Sequence, residues 1–285
     1  MTELLSPPLP ERPVDPDWLL LREPADADAR GAAASAILEP LLQCLPERLS
    51  LSGAPGLRVV DLGAGTGANL RWLAPRLAGT GSRAGLGQQH WTLIDHDPRL
   101  HAWGPSAFTT VHADVADLGD LLPEASSADL VTAAALLDLL NSPQLTAVVN
   151  IVRTQGIPAL FSLNVTGAVR LDPPHPLDDA LAKAFDAHQR REGRLGPDAG
   201  LEAASRFRRF GWRVIEAQTP WRLNREHGRL IEAWLEGRAD AAAEWKPQLA
   251  GQVADWLERR RQQCRNGQLT AVTGHVDVLA IPPAS

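Results

Sequence analysis

Apolar positions recur along this chain with two periods, and the change of period divides it. From residue 17 to about 50 the spacing is helical, first at Trp18, Leu19 and Leu21, then at Ala32, Ala36, Ile37, Leu41, Leu42 and Leu45. Between 57 and 163, short apolar runs alternate with helical stretches. Strands are predicted at 57–62 (LRVVDL), 89–95 (QHWTLID), 107–111 (AFTTV), 128–133 (ADLVTA) and 157–163 (IPALFSL), with helices between them. That alternation predicts a parallel sheet covered on both faces. After Leu163 the pattern predicts a polar helix at 176–191, a helix at 198–209 and a strand at 211–217 (GWRVIEA). One or two helices at 225–262 and a last strand at 269–281 (LTAVTGHVDVLAI) follow. Trp234, Leu235, Trp245, Leu249, Val253, Trp256 and Leu257 form an apolar stripe on those helices and read as core. The proline-rich stretch 1–16 reads as an extended arm. The expected organisation is therefore an arm (1–16), a helical cap (17–50) and one α/β domain (51–285).

Composition narrows the class of partner. The formal net charge of −6 disfavours nucleic acid, whose phosphates are held by a basic face. No uninterrupted apolar run approaches the roughly 18 residues of a membrane helix, and the opening residues lack a basic start and apolar core. A cytoplasmic protein without membrane contact, acting on a small molecule as a monomer or homodimer, is the expectation. Cys44 and Cys264 are far apart and outside any CxxC pair, so they read as buried thiols, with neither structural zinc nor a disulfide.

The chemistry concentrates in VVDLGAGTGANL. Glycines at 63, 65 and 67, between an apolar strand and a helix, suit a backbone that must come within contact distance of a ligand. Gly63, Gly65 and Ala68 also satisfy the dinucleotide fingerprint, so the turn alone is ambiguous. Its acidic neighbours separate the readings. Asp61, two residues before the first glycine, would repel a pyrophosphate and attract an amino group. Asp95 ends the next strand, where a carboxylate can accept both hydroxyls of a ribose. It lies further from Gly63 than the roughly 20 residues of the dinucleotide pattern, an excess that the glycine-rich stretch at 79–87 could explain. Asp114, in VHADVADL, can accept from an adenine amino group. Amine, ribose and adenine together describe an adenosine bearing an amino acid.

With those motifs in order, the chain resembles a class I S-adenosylmethionine-dependent methyltransferase of small-molecule type. The glycine motif is VVDLGAGTG, the acidic ribose residue Asp95, the adenine motif Ala113, Asp114 and Val115, and the strand-four segment ADLVTAAALLDLL. The resemblance covers 57–163 and makes 164–285 the substrate side. It implies a Rossmann-like, seven-stranded, mostly parallel sheet with helices on both faces, an N-terminal helical cap and a helical insertion before the last strand. It implies S-adenosyl-L-methionine as cofactor, with Gly63, Ala64 and Gly65 along the methionine portion, Asp61 near its amino group, His96 beside the adenine, and Ala133 and Ala134 bordering it. Arg22, in LLLREPADADAR, is the expected partner of the cofactor carboxylate.

Methyl transfer from a sulfonium mainly requires an aligned nucleophile and, for some acceptors, a base. The candidates are Asp138, just past strand four, and His188, in FDAHQRREG. DPPH at 172–175 reads as a proline turn, since the DPPY-type motif of amino-group methyltransferases follows strand four and ends in an aromatic residue. HDPRLH (96–101) reads as a helix start, and no metal is expected. Oxygen is slightly favoured over nitrogen or carbon as the methylated atom. Two alternatives stay open: an NAD(P)-dependent oxidoreductase, and a non-catalytic S-adenosylmethionine-binding protein.

Overall fold

The computed structural model describes residues 14–79, 86–100, 109–112 and 127–283. Helix α1 (Pro16–Ala32) opens on a side-chain cap, Asp15 accepting from the Asp17 N–H, with Pro16 at the first helical position, where a missing N–H costs nothing. Helix α2 (Ala34–Ser52) ends at Gly53 in the left-handed conformation. The sheet then begins with β1 (Leu57–Leu62), α3 (Ala68–Ala78), β2 (Gln89–Asp95), β3 (Thr109–His112) and β4 (Leu130–Ala134). Helix α4 (Ser142–Thr154) starts with a reciprocal capping box between Asn141 and Gln144 and leads into β5 (Ala159–Asp172). The remaining elements are α5 (Asp178–Gln189), α6 (Ala199–Arg209), β6 (Arg213–Gln218), β7 (Trp221–Leu223), α7 (Gly228–Trp245), α8 (Ala250–Arg265) and β8 (Thr270–Ile281).

Strand order is β3-β2-β1-β4-β5-β8-β6, with β7 also paired to β8. Strands β1 to β5 are parallel, and β8 runs antiparallel to β5, β6 and β7. This is a Rossmann-like sheet with a reversed strand inserted between β5 and β6. It has eight strands where seven were expected. The additional strand, β7, spans three residues after Pro220, too short to leave a period in the sequence. Strand β5 also runs nine residues past its expected end at 163, pairing with β8 through two register shifts.

Two apolar layers cover the faces. Leu41, Leu45 and Leu73 of α2 and α3 pack on one, and Val148, Val149 and Phe207 of α4 and α6 on the other. A third cluster joins α5, α7 and α8 to α1, β7 and the far ends of β5 and β8, through residues such as Trp221, Trp234 and Trp256. Trp245 departs from the expected stripe: it ends α7 and is exposed. Cys264 is buried as expected, whereas Cys44 is half-buried. The DPPH turn is held from α8: the fully buried Arg260 donates to the Pro173 carbonyl (2.7 Å), to Gln263 (2.8 Å) and through Nη2 to both Asp178 oxygens, at 2.6 Å to Oδ1. Trp256 donates to the same carboxylate. Among the described residues, no helix is long and apolar enough to cross a membrane.

Candidate functional site

Parallel strands point their carbonyl ends to one edge, where the following turns diverge and leave a crevice. Here that crevice is a cavity of about 310 Å³. Its wall is built by the turn after β1 (Gly63 to Thr66), the first half of α3, the tip of β2 (Asp95, His96), the segment after β4 (Ala134 to Leu136, Leu139), Leu163 of β5, and α1 lying across the top.

The glycine turn is shaped by left-handed backbone at Gly63 (φ 61°), Gly65 (φ 55°) and Gly67 (φ 81°). Close approach also forbids side chains there. A Cβ on Gly63 would stand 2.7 Å from Leu136 Cδ1, and one on Gly65 would stand 3.2 Å from Leu19 Cδ1. Leucines from the post-β4 segment and from α1 thus press on the turn. Helix α1 is fastened there by Glu23, which accepts twice from Arg71 (2.7 Å each), while Arg71 Nη1 donates to the Thr66 carbonyl at 2.6 Å.

The acids expected at the strand tips occupy different settings. Asp95 is buried, and its two oxygens accept the Gly65 N–H (2.8 Å) and the Asp97 N–H (3.0 Å), tying the glycine turn to β2. A carboxylate offers about four lone-pair sites, so two remain for a diol. His96 lies beside it, with Nδ1 3.4 Å from Asp95 Oδ1. Asp61 lies outside the cavity lining, fully buried beneath it, where Oδ1 accepts from Asn69 Nδ2 (2.7 Å) and Thr132 Oγ1 (2.7 Å). Its Oδ2 has no hydrogen-bond partner, and burial pushes its pKa up to about 6. Ala133 is buried in the sheet, whereas Ala134 lines the cavity. Ala113, Asp114 and Val115 lie outside the described residues.

The expected carboxylate partner is already engaged within the chain. Arg22 lines the cavity, but its fork is committed to Asp26 one turn on (2.8 and 3.2 Å), and its guanidinium lies over the Trp221 ring at 5.2 Å. The arginine left open is Arg30, which sequence reasoning passed over. It is 3% exposed, lies 3.7 Å from the Trp72 ring centroid and donates from Nη1 to Asn69 Oδ1 at 2.9 Å. Its Nε faces Asp277 Oδ2 at 3.7 Å, beyond hydrogen-bond reach, and Nη2 has no hydrogen-bond partner. Burial lowers the Arg30 pKa despite the carboxylates nearby. A buried arginine whose donors are unmatched is costly, and a ligand anion removes that cost. The one sequence signal was its place directly after Ala29, on the buried Ala25–Ala29 stripe of α1.

Neither base candidate is itself part of the cavity wall. Asp138 is half-buried on a short turn (Leu137–Leu139) whose neighbours Leu136 and Leu139 line the cavity; burial raises its pKa to about 6, against the pull of Arg22 and Arg194. His188 lies outside the cavity lining. It closes α5, beside Arg191 Nη1 (2.7 Å from Nδ1) and Glu244 (3.4 Å), and burial lowers its pKa. Leu163 was read only as a strand end. It holds left-handed backbone (φ 57°) at the first register shift of β5, which turns that residue onto the cavity wall.

No protein-family model matches the sequence, and no curated protein sequence matches it. Among solved structures, the chain is similar to YjhP from E. coli, at 15% identity over 92% of this chain and 100% of that one, with a TM-score of 0.39. It is similar to YcgJ from Bacillus subtilis, at 12% identity over 85% of this chain and 99% of that one, with a TM-score of 0.45. A phosphoethanolamine N-methyltransferase 2 from Haemonchus contortus, solved with phosphomonomethylethanolamine and S-adenosylhomocysteine, matches 80% of this chain at 12% identity and a TM-score of 0.38; there the match spans 49% of the other chain.

Proposed function

We propose that this protein is an enzyme that transfers a methyl group from S-adenosyl-L-methionine to a small-molecule acceptor. One observation carries the reading: two opposite hydrogen-bonding deficits lie beside one glycine turn, the first in the cavity wall and the second buried beneath it. Arg30 has buried donors without acceptors, and Asp61 has a buried acceptor without a donor. A zwitterionic amino acid supplies both missing partners, its carboxylate to Arg30 and its ammonium toward Asp61. Asp95 at the tip of β2 is placed for a ribose diol, and His96 and Leu100 border the adenine end. The bound cofactor supplies an electrophilic methyl group whose sulfide departs readily.

The protein's own part is to exclude water and align the acceptor. Leu136, Leu139 and Leu163 give the acceptor an apolar wall. Asp138, with a pKa of about 6, is ionised at neutral pH and is the proposed base for the acceptor proton. Oxygen is the favoured acceptor atom, because DPPH is engaged by Arg260 in anchoring α8 and supplies no amine-recognition wall.

Titration calorimetry with S-adenosylhomocysteine, against NAD as control, tests the cofactor assignment. Asp95→Ala is expected to weaken S-adenosylhomocysteine by about 1 to 3 kcal/mol, the loss typical of a charged hydrogen bond. A metabolite screen with a methyl-labelled donor then tests transfer. Binding of NAD alone would return the oxidoreductase reading, and a donor bound but never consumed would return the non-catalytic one.

A further inference from the structure

Asp277 is a buried carboxylate on β8, 3% exposed, and none of the motifs above includes it. Its two oxygens face different parts of the cavity wall. Oδ1 accepts the Leu163 N–H at 2.8 Å and the Thr219 hydroxyl at 2.9 Å. Oδ2 faces Arg30 Nε at 3.7 Å. The first pair of bonds holds the left-handed residue that β5 turns onto the wall; the second oxygen draws in the guanidinium that α1 brings to the other side. No residue of β8 lines the cavity, so Asp277 reaches it only through Leu163 and Arg30.

We propose that Asp277 is a positioning residue that aims Arg30 at the carboxylate of the bound cofactor while pinning Leu163 on the acceptor side. This rests on the methyltransferase reading above. The reasoning is electrostatic and geometric. A guanidinium at this depth keeps its charge, a nearby carboxylate offsets part of the cost of burying it, and the one hydrogen bond that it makes among the described residues, to Asn69 Oδ1, is to a neutral group. At 3.7 Å, Asp277 is near enough to stabilise the charge and too far to engage the Nε–H. The donors therefore remain available to a ligand. A carboxylate in direct hydrogen-bond contact, as Asp178 is with Arg260 Nη2, would leave less for a ligand to gain.

Asp277→Asn separates the two duties. The amide keeps an oxygen for Leu163 and Thr219 and turns an uncharged NH2 group toward Arg30 in place of the charged oxygen. Calorimetry with two probes reads the result: S-adenosylhomocysteine, which carries the amino-acid carboxylate, and 5′-methylthioadenosine, which lacks the amino-acid tail. Asp277→Asn is expected to weaken S-adenosylhomocysteine by about tenfold or more, the scale of a charge-assisted hydrogen bond, and to change 5′-methylthioadenosine less than about twofold. In an Arg30→Met background the same substitution should add less than about threefold, since both act through one contact. Equal losses for both probes, no loss for either, or full additivity with Arg30→Met would overturn the proposal. Should Asp277→Asn not fold, Thr219→Val removes one donor to the carboxylate and is expected to give a smaller loss, about threefold, confined to S-adenosylhomocysteine; a loss shared by both probes would overturn it. Wild-type protein that binds neither probe would instead remove the cofactor reading itself.

Discussion

Two buried arginines stand in opposite conditions in this molecule. Arg260, in the helical insertion, meets a carboxylate with Nη2 and a carbonyl and an amide oxygen with Nη1, leaving only Nε without a partner. Arg30, on the cavity wall, makes one hydrogen bond and keeps two donor nitrogens open. Both are almost wholly removed from water, so burial does not distinguish them. Completion does. A filled set of partners within the chain marks an arginine that holds elements together, and an unfilled one beside a cavity marks an arginine whose last partner comes from outside.

The largest effect is expected at the completed site. Arg260→Leu leaves the Asp178 carboxylate without its counter-charge and the Pro173 carbonyl without its donor, and should cost about 3 to 5 kcal/mol of stability in urea denaturation, the range for breaking one side of a buried ion pair. S-adenosylhomocysteine affinity of the protein that remains folded should stay within about twofold. A stability loss below about 1 kcal/mol would erase the contrast between the two arginines.

Next comes the acid beneath the open site. Asp61 has its pKa raised to about 6, so between about pH 4 and 6 the folded chain holds a proton that the unfolded chain has released. The stability that this contributes is complete below about pH 4 and is lost as pH rises through 6. Asp61→Asn keeps an acceptor for Asn69 and Thr132 without the titration. The wild-type protein should therefore lose up to about 3 kcal/mol relative to the variant over that interval. Denaturation at a series of pH values measures the difference, and parallel curves would refute it. An ammonium group arriving near Asp61 lowers its pKa, so S-adenosylhomocysteine binding near pH 6 should release protons in the wild-type protein and fewer in Asp61→Asn. Calorimetry in two buffers of unlike ionisation enthalpy reads that release.

A smaller effect, read in binding, separates Arg30 from Arg260. Arg30→Met removes one hydrogen bond within the chain but the proposed contact to the ligand carboxylate, and should weaken S-adenosylhomocysteine by about 2 kcal/mol. Its stability loss should be smaller than that of Arg260→Leu, because Arg30 stands 3.7 Å from Asp277 without a hydrogen bond to it, whereas Arg260 bonds Asp178 directly at 2.6 Å. Reversal of that order would place the structural anchor on the wrong arginine.

Much of this arrangement was legible in the sequence where one residue's surroundings are local. LRVVDL, bounded by Gly56 and Gly63, gave β1 to the residue, and the glycine turn with the acid ending β2 marked the cavity. What escaped depends on contacts far along the chain. NVTGAVRLD carries a glycine and alternating polar residues and lies beyond the predicted strand, yet it forms the outer half of β5 because β8 pairs with it on either side of a register shift. Arg30 was passed over, since arginine is seldom buried without partners, and the groups that face it, Asn69 and Asp277, come from α3 and β8. Arg22 looked equally suitable until its i+4 neighbour, Asp26, was seen to hold it.

The smallest effect is expected at His188, where the sequence offered a base and the structure offers a helix end. Its ring lies against Arg191 and reaches Glu244, whose side chain is 58% exposed, so the ion pair is largely screened and worth about 1 kcal/mol at most. Burial and Arg191 both favour the neutral ring, and neither bears on the cavity. His188→Gln retains a hydrogen-bonding side chain there. It should change S-adenosylhomocysteine affinity less than about twofold and stability by no more than about 1 kcal/mol, and methyl transfer, once an acceptor is in hand, should keep its rate and pH profile. A tenfold fall in turnover with cofactor binding intact would bring α5 into the acceptor site and move the proposed base from Asp138 to His188.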